Sequence, residues 1–147
     1  PWVMTTGSQG LHVVAPLRRE QDFDEVRAFA RDLAELLVGR RPEIYTTEQR
    51  KHKRGKRVFL DVLRNSYGAT AVAPYALRAR PAAPVATPLY WSEVDDPGLG
   101  PRNWTITNLF LRLGRQPDPW RGMMRHARSP AGPRRKLDAL IAEEGPA

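Results

Sequence analysis

Three short segments of the chain carry side chains suited to binding phosphate groups or a metal ion. Residues 5–10 read Thr-Thr-Gly-Ser-Gln-Gly and lead directly to a strand that contains His12. The apolar stretch 58–63 contains Asp61, and an extended run further on holds Arg78 and Arg80. Turn N–H groups and guanidinium groups suit phosphate oxygens, and a carboxylate suits a hard cation. Together these residue types predict part of a nucleotidyl-transfer site.

The glycine turn could cradle a triphosphate through its N–H groups and the hydroxyls of Thr6 and Ser8. Gln9 offers an amide that donates hydrogen bonds without the charge that makes phosphate contacts strong. Glycine and serine in a turn are more often structural than functional. A single histidine on a strand, such as His12, is likewise more often a partly buried structural residue. From these residues alone both interpretations stay open.

Asp61 is the strongest candidate for a catalytic residue. A carboxylate that closes an apolar strand is costly to desolvate unless it is ion-paired or bound to metal. The alternative to a metal is an ion pair with Arg64 or Arg78. For Arg80, a solvated or carboxylate-paired side chain is the alternative to a contact with the triphosphate or the template backbone.

The charge balance favours a polyanionic partner. The net charge is +8 and the pI is near 10.6, and residues 50–57 hold six permanent cations. Among them Lys51, Lys53, Arg54 and Lys56 could contact DNA phosphates. The alternative is an arginine-rich composition with a merely solvated surface. Because the chain has no cysteine, a metal site must use carboxylates or histidine, which favours Mg²⁺ or Mn²⁺.

The elements that must position these residues are predicted from periodicity and turn residues. Prolines recur over residues 71–88 and favour an extended, loop-rich path there. Residues 42–47 are predicted as a connector with a short strand. The 57–63 strand is expected to be buried, with Asp61 near its end. The remaining predictions are strands at 2–6 and 11–17, and helices at 22–39, 105–113 and 134–144.

In order and rough spacing these motifs resemble the primase-polymerase domain of bacterial ligase D, from about Trp2 to about Trp120. The matching pieces are Thr-Gly-Ser-Gln-Gly-Leu-His, Val-Phe-Leu-Asp-Val-Leu-Arg-Asn and Ala-Pro-Tyr-Ala-Leu-Arg-Ala-Arg-Pro. The resemblance implies an α+β fold, a mixed sheet with packed helices forming an incomplete primase-polymerase catalytic core. Residues 1–120 are the C-terminal part of that domain, and 121–147 are a basic Pro/Gly-containing tail with a short helix. The family's upstream Asp-x-Asp pair is absent before Thr6, so a partial chain is expected.

The resemblance also implies roles for individual residues. Asp61 stands as the third carboxylate of a two-metal site, where it is catalytic and binds Mg²⁺ or Mn²⁺. Gln9 departs from the lysine or arginine common at its position, and Arg64 departs from a usual polar residue. Trp91 and Trp120 also match the family and are interpreted as packing residues. The expected nucleotide-binding set is Thr6, Ser8, Gln9, His12, Arg64, Arg78 and Arg80.

The activity implied by this resemblance is template-directed addition of an NTP or dNTP to a 3′-hydroxyl during non-homologous end joining. DNA, a ligase domain and Ku are the expected partners, in the bacterial cytoplasm at the nucleoid and not at a membrane. The isolated chain is expected to have little or no polymerase activity. One rival is a non-catalytic nucleic-acid-binding module or degenerate remnant. Another is a metal-dependent nuclease or phosphatase, which is disfavoured because Asp95 and Asp96 lie in an apparent turn beside proline.

Overall fold

The structure is a computed structural model that describes residues 1–144. The predicted tail, 121–147, therefore ends in three residues that lie outside the described part. Five strands and three α-helices alternate with loops and short 3₁₀ turns, which confirms the expected α+β class. In chain order they are β1 (Trp2–Thr5), β2 (Leu11–Val14), α1 (Phe23–Arg40), β3 (Tyr45–Thr46), β4 (Val58–Phe59), β5 (Pro88–Leu89), α2 (Leu109–Arg115) and α3 (Ala131–Glu144).

The chain divides into two compact units, each built from two stretches of sequence. The first unit contains Pro1–Leu17 and Ala71–Arg128, and the second contains Arg18–Thr70 and residues 129–144. The predicted boundary between residues 120 and 121 does not coincide with this division and stays a prediction. Across residues 1–144, no helix combines the length and the hydropathy needed to span a bilayer.

The first unit is built on an antiparallel sheet with strand order β2-β1-β5. In the register of β1 and β2, Met4 lies opposite His12 and Thr5 opposite Leu11. The central strand is buried along most of its length, and the Trp120 indole Nε1 donates to the carbonyl of Val3 at 2.9 Å. The predicted pair of strands joined by the glycine turn is confirmed, although β1 ends at Thr5 rather than residue 6 and β2 at Val14 rather than residue 17. Strand β1 holds the start of the glycine turn in a buried position.

Tryptophans supply much of the packing of the first unit. Met4, Ala86 and Trp120 form its buried core, and Trp2 packs against them. The packing role predicted for Trp120 fits this position. Trp91 is about half exposed, and its indole N–H donates to the carbonyl of Pro1. All four tryptophans of the chain belong to this unit.

An ion pair between a buried arginine and a half-buried glutamate links α2 to the segment after β5. Arg112 is 6% exposed and makes two hydrogen bonds to the carboxylate of Glu93. Its guanidinium also donates to the carbonyl of Pro88 at 2.9 Å and lies over the ring of Trp104. Burial acts to raise the pKa of Glu93, but the hydrogen bonds from Arg112 and the backbone of Tyr90 outweigh it, so that the pKa lies below its usual range.

Two helices and a two-stranded parallel sheet form the second unit. Helix α1 begins after Asp22, whose side chain accepts from the N–H of Glu25 while the Glu25 carboxylate accepts from the N–H of Asp22. This reciprocal capping satisfies two donors that a helix start leaves without partners. Helix α3 pairs with α1 through Arg134, which donates to Asp32 at 2.7 Å. The predicted helix over 22–39 is confirmed with its ends shifted by one residue.

Three other elements differ from their predicted bounds for identifiable reasons. Helix α2 begins later than predicted because the Asn108 side chain accepts from the N–H of Thr105 and holds a turn there. Helix α3 begins earlier than residue 134, with Pro133 in its first turn, where a missing N–H costs nothing. The buried strand predicted over 57–63 is wrong: β4 has two residues, and Val58 is 55% exposed.

Candidate nucleotide-binding site

The glycine turn between β1 and β2 has a tightly defined backbone. Gly7 and Gly10 have φ values of 63° and 70°, in the left-handed region that glycine adopts without steric cost. The N–H of Thr6 donates to the carbonyl of Gly10 at 3.3 Å and closes the turn. Glycine spacing in the sequence therefore identified a real structural requirement.

Gly7 is also required by close packing. A Cβ at this position would lie 2.7 Å from Cγ of Arg78 and 3.1 Å from backbone atoms of Val85 and Ala86. The turn therefore rests directly against the arginine segment, although about seventy residues separate the two in sequence. Two of the three segments identified from the sequence are thus brought together within the first unit.

The two hydroxyls of the turn have different positions. Thr6 is 7% exposed, and its hydroxyl donates within the turn, to the carbonyls of Gln9 at 2.9 Å and Gly10 at 3.2 Å. It also accepts from the N–H of Ser8. Thr6 therefore shapes the turn, and this geometry does not favour a direct contact between Thr6 and phosphate. Ser8 is half-buried, and its hydroxyl makes no hydrogen bond within residues 1–144.

Gln9 and His12 lie on either side of the last glycine of the turn. Gln9 is exposed, and its N–H donates to no acceptor in the described part of the chain. His12 is half-buried on β2, opposite Met4. A backbone donor, an amide and an imidazole therefore follow one another at this end of the hairpin. Their contacts with a nucleotide stay predictions.

The arginine segment folds back on itself as a narrow loop. The N–H of Tyr75 donates to the carbonyl of Ala86 at 2.7 Å, and the N–H of Arg78 donates to the carbonyl of Pro84 at 2.8 Å. The Tyr75 hydroxyl donates to Asp118 at 2.7 Å, and burial together with this carboxylate raises the pKa of Tyr75. Both ends of the loop are thereby fixed, and Arg78 is held at the glycine turn.

At the tip of this loop the backbone adopts an uncommon conformation. Ala82 and Ala83 have φ values of 66° and 46°, which residues with a Cβ seldom adopt. Arg80 lies just before them and is exposed, whereas Arg78 is half-buried. Neither arginine makes an ion pair with a carboxylate within residues 1–144. The carboxylate-paired alternative for Arg80 therefore finds no support in the described residues.

Asp61 belongs to the second unit, where it lies in a loop after β4. Its side chain is exposed and accepts a hydrogen bond from the N–H of Leu63 at 3.0 Å. The expectation that Asp61 is buried at a strand end is wrong, because the chain leaves the sheet after Phe59. In the part of the chain that the structure describes, Asp61 has no ion pair with Arg64, which is exposed three residues later. Its assignment as a catalytic and metal-binding residue stays a prediction.

The basic segment of the second unit forms a 3₁₀ turn at Lys51–Lys53. Arg54 is half-buried and stabilises the local structure. Its guanidinium donates to the carbonyls of Glu48 and Gln49. It also stacks on Phe59, with 3.7 Å between Cζ and the ring centroid. The other cations predicted to contact DNA are exposed: Lys51, Lys53 and Lys56.

A metal ion would need more ligands than the described residues bring together. Asp61 supplies a single exposed carboxylate, and nowhere in residues 1–144 do three or more His, Asp or Glu side chains form a group able to hold a metal ion. Two-metal phosphoryl transfer requires several carboxylates around a pair of ions. The described residues therefore do not by themselves fit such a centre.

Arg102 is a residue of the site that the sequence did not indicate. Its Nε donates to the carbonyl of Ser8 at 2.9 Å, across a separation of 94 residues. Its neighbours Gly100, Pro101 and Asn103 form a loop without a recognisable motif, so no local signal could have identified it. Together with Arg78, whose Cγ packs beside Gly7, it gives the glycine turn two neighbouring arginines.

The arrangement in the first unit is suited to binding an anion rather than to proton transfer. A turn with a free N–H is bordered by two arginines that have no carboxylate partner in the described residues. Guanidinium groups and turn N–H groups are typical ligands of phosphate oxygens. These residue types are therefore chemically suited to a phosphorylated ligand.

Comparisons with known proteins identify the family of the chain. A family model described as LigD, primase-polymerase domain, matches residues 1–120. The multifunctional non-homologous end joining protein LigD of Pseudomonas aeruginosa is 32% identical over 145 residues, which are 97% of this chain and 16% of that protein. The bifunctional non-homologous end joining protein LigD of Bacillus subtilis is 34% identical over 116 residues, covering 78% of this chain and 19% of that protein. The chain thus spans less than a fifth of the length of these relatives.

The fold is also similar to that of a solved structure. The polymerase domain from Mycobacterium tuberculosis Ligase D, solved in complex with DNA, superimposes with a TM-score of 0.77 at 32% identity. The match covers 86% of this chain and 43% of that chain. Family model, relatives and structure all agree, and the resemblance recognised in the motifs is confirmed: the chain belongs to the LigD primase-polymerase domain family.

Proposed function

We propose that this chain forms the nucleotide-binding part of a primase-polymerase that adds an NTP or dNTP to a 3′-hydroxyl on a template strand. The reaction would fill gaps at broken DNA ends during non-homologous end joining. In this proposal DNA is the substrate, a ligase domain and Ku are partners, and the site of action is the nucleoid in the bacterial cytoplasm. The names of the LigD relatives support the repair pathway.

One observation carries the proposal, namely the packing of the glycine turn against Arg78. A Cβ on Gly7 would collide with Cγ of Arg78, so the aliphatic stem of this arginine lies beside the turn. A triphosphate needs donors from several directions, and here a turn and an arginine loop converge. The proposed contacts are made by Ser8, Gln9, His12, Arg78 and Arg80, while Thr6 shapes the turn.

Asp61 and Arg64 enter the proposal through the second unit. We assign Asp61 as one ligand of Mg²⁺ or Mn²⁺ and Arg64 as a phosphate contact. Bound Mg²⁺ or Mn²⁺ would supply charge neutralisation of the phosphates and activation of the 3′-hydroxyl. Because one carboxylate is not a metal centre, we expect little or no templated extension by the chain alone.

The test is metal-dependent nucleotide binding measured by isothermal titration with dATP and Mn²⁺. Asp61→Asn is the informative variant, because an asparagine oxygen can still accept from the N–H of Leu63 and preserve the loop. We expect the gain in affinity that Mn²⁺ brings to fall by about tenfold or more, since a charged ligand is lost. Asp95→Asn, an exposed carboxylate in a turn, is the matched control and should leave that gain unchanged.

Two results would each contradict one part of this proposal. Equal Mn²⁺ dependence in Asp61→Asn and the original chain would remove Asp61 from the metal site. Templated primer extension by the purified chain with Mn²⁺, abolished in Asp61→Asn, would contradict the expectation that the chain alone is inactive.

A second candidate function is a non-catalytic DNA-binding module. The exposed side chains of Lys51, Lys53 and Lys56 favour it, because none has an ion pair within residues 1–144. DNA affinity that depends on salt but is indifferent to Mn²⁺ and nucleotide would support this candidate. The two functions are compatible in one chain, and only the metal and nucleotide dependence separates them.

A further inference from the structure

Arg102 contacts the glycine turn in a way that leaves most of its donors unused. Nε donates to the carbonyl of Ser8, and the side chain is otherwise exposed. Its two terminal nitrogens contact neither a carboxylate nor a carbonyl oxygen in the described part of the chain. A guanidinium carries five N–H donors in a fixed plane. One edge is therefore held by the turn while the other donors remain free.

The loop that carries Arg102 is held by side-chain hydrogen bonds of Asn103. Its amide oxygen accepts from the N–H of Gly100 at 2.8 Å, and its amide nitrogen donates to the carbonyl of Gly98 at 3.0 Å. The side chain of Asn108 donates in turn to the carbonyl of Asn103 at 2.9 Å. Because Arg102 lies inside this set of bonds, its backbone position is fixed.

The same short stretch of backbone supports both arginines and the turn. The N–H of Val85 donates to the carbonyl of Trp104 at 2.8 Å, two residues after Arg102. The carbonyl of Pro84, the preceding residue, accepts from the N–H of Arg78. Val85 is also the residue whose backbone a Cβ on Gly7 would meet at 3.1 Å. The buried segment 84–86 therefore contacts Gly7, Arg78 and the loop that carries Arg102.

The charge of the site calls for a ligand with several negative oxygens. Residues 5–10 contain no charged side chain, yet two arginines lie against them: Cγ of Arg78 packs beside Gly7, and Nε of Arg102 donates to the carbonyl of Ser8. Neither arginine has a carboxylate partner in the described residues. Like charges placed near one turn repel each other, and an anion between them would relieve that repulsion. Hydrogen bonds from guanidinium to phosphate are about twice as strong as neutral ones.

We propose that Arg102 binds the polyphosphate of the nucleotide, with Nε held by the Ser8 carbonyl and the terminal nitrogens donating to phosphate oxygens. The inference rests on the proposed nucleotide site and adds a binding residue to it. Arg102 would supply at the turn the positive charge that Gln9 lacks. Phosphate oxygens also occur in a DNA backbone, so the experiment must separate these two sources.

The experiment measures binding of dATP and, separately, of a single-stranded oligonucleotide to the full 147-residue chain. Arg102→Gln keeps a hydrogen-bond donor and removes the charge, and we expect it to weaken dATP binding about tenfold. Arg102→Lys keeps the charge without the planar fork and should lose about threefold. Arg115→Gln, an exposed arginine in the same unit, is the control and should bind dATP unchanged.

Two further readouts exclude a purely structural role. The melting temperatures of Arg102→Gln and Arg115→Gln should be similar, because the one hydrogen bond lost at Ser8 is exposed. The salt dependence of dATP binding should become shallower in Arg102→Gln only, because one contact with phosphate is lost.

The outcomes separate this inference from the function on which it rests. Original affinity for dATP in Arg102→Gln, with loss in Arg78→Gln, overturns the role of Arg102 and leaves the proposed nucleotide site intact. Loss of oligonucleotide affinity alone in Arg102→Gln also overturns it, because the ligand would then be a DNA backbone. Absence of dATP binding by the unaltered chain would defeat the proposed function and the inference together.

Discussion

The two compact units hold their predicted site residues by different means. In the first unit, the glycine turn and Arg78 rest on the buried backbone of residues 84–86, and Thr5 and Thr87 beside them are fully buried. In the second unit, Asp61 and the lysines lie on exposed loops shaped by hydrogen bonds between neighbours in sequence. The first unit therefore positions its site residues by packing on buried backbone, here called the buried support, whereas the second unit positions them by hydrogen bonds within exposed loops.

This difference separates residues whose positions depend on the fold from those whose positions depend on the loop around them. A substitution at the buried support should disturb folding and ligand binding together. A substitution in an exposed loop should change binding while stability stays nearly constant, since surface changes are usually within about 0.5 kcal/mol. Matched substitutions in the two units can test this contrast.

The largest effect is expected from Arg112→Ala in the first unit. Loss of this buried arginine leaves the Glu93 carboxylate and the Pro88 carbonyl without their partner, and should lower the free energy of unfolding by about 3 kcal/mol. Arg134→Ala is the counterpart in the second unit. Arg134 pairs with both Asp32 and Asp138, but its side chain is more exposed than that of Arg112, so its loss should cost about 1 kcal/mol or less. Urea denaturation followed by circular dichroism measures both.

The contribution of the Arg112–Glu93 ion pair to stability should depend on pH. The pKa of Glu93 is lower in the folded chain than in the unfolded chain, so its contribution is complete above the ordinary glutamate pKa and is lost as the pH falls below it. Glu93→Gln should therefore lose less stability on acidification than the original chain. Equal losses of unfolding free energy in Arg112→Ala and Arg134→Ala would contradict the expected difference between the two units. An unchanged loss of stability on acidification in Glu93→Gln would show that Glu93 does not contribute to the acid response.

The next effect concerns the two glycines of the turn. Gly7→Ala introduces a Cβ into contact with Arg78 and with the backbone of Val85 and Ala86, in addition to an unfavourable positive φ. We expect a loss of about 2 kcal/mol together with loss of dATP affinity. Gly10→Ala has a similar φ but nothing within 4 Å of the new atom, and should cost only about 1 kcal/mol. Thermal unfolding of both variants gives the comparison.

If Gly10→Ala lowered stability as much as Gly7→Ala, the requirement for glycine in the turn would come from backbone conformation rather than from packing on the arginine loop. Retention of dATP binding by a folded Gly7→Ala variant would place the ligand elsewhere.

The smallest effect on stability is expected from the exposed lysines of the second unit. Changing Lys51, Lys53 and Lys56 together to glutamine should alter the free energy of unfolding by no more than about 0.5 kcal/mol. DNA binding should weaken. The slope of log affinity against log salt concentration should become shallower by about two to three, because each lost phosphate contact contributes about 0.9 to that slope. Titration of a duplex at several salt concentrations measures this change.

Arg54→Gln is the contrasting variant for the lysines. Arg54 donates to two backbone carbonyls and stacks on Phe59, so its loss should lower stability as well as charge. Unchanged DNA affinity in the triple lysine variant would show that the exposed charge is only solvated.

Local pattern predicted the elements that are set locally. The helix at Phe23–Arg40 followed from its apolar spacing, the acidic residues at its start and Gly39 near its end, and the β1–β2 hairpin from two glycines between apolar runs. The short β4 could not be predicted, because Val58-Phe-Leu reads as a buried strand. In the structure the Arg54 side chain covers Phe59, and the Asp61 side chain bends the backbone that follows.

The candidate site was predictable only in part. Residue types located the turn and the arginine loop, and the resemblance to the family assigned them to one site. The partnership of Ser8 with Arg102 joins residues 94 positions apart and has no signature in either segment. The structural role of Thr6 could not be predicted either. A sequence shows that a hydroxyl is present but not that it donates to a neighbouring carbonyl, as Thr6 does to that of Gln9.

The confinement of all four tryptophans to the first unit has a practical consequence. Intrinsic tryptophan emission should report on that unit alone, whereas helical circular dichroism arises mainly from the 18 residues of α1 and the 14 residues of α3 in the second. The chain therefore carries two native optical probes, one for each unit, without any label. Their agreement or divergence along one denaturation curve would show whether the units unfold as a single cooperative body.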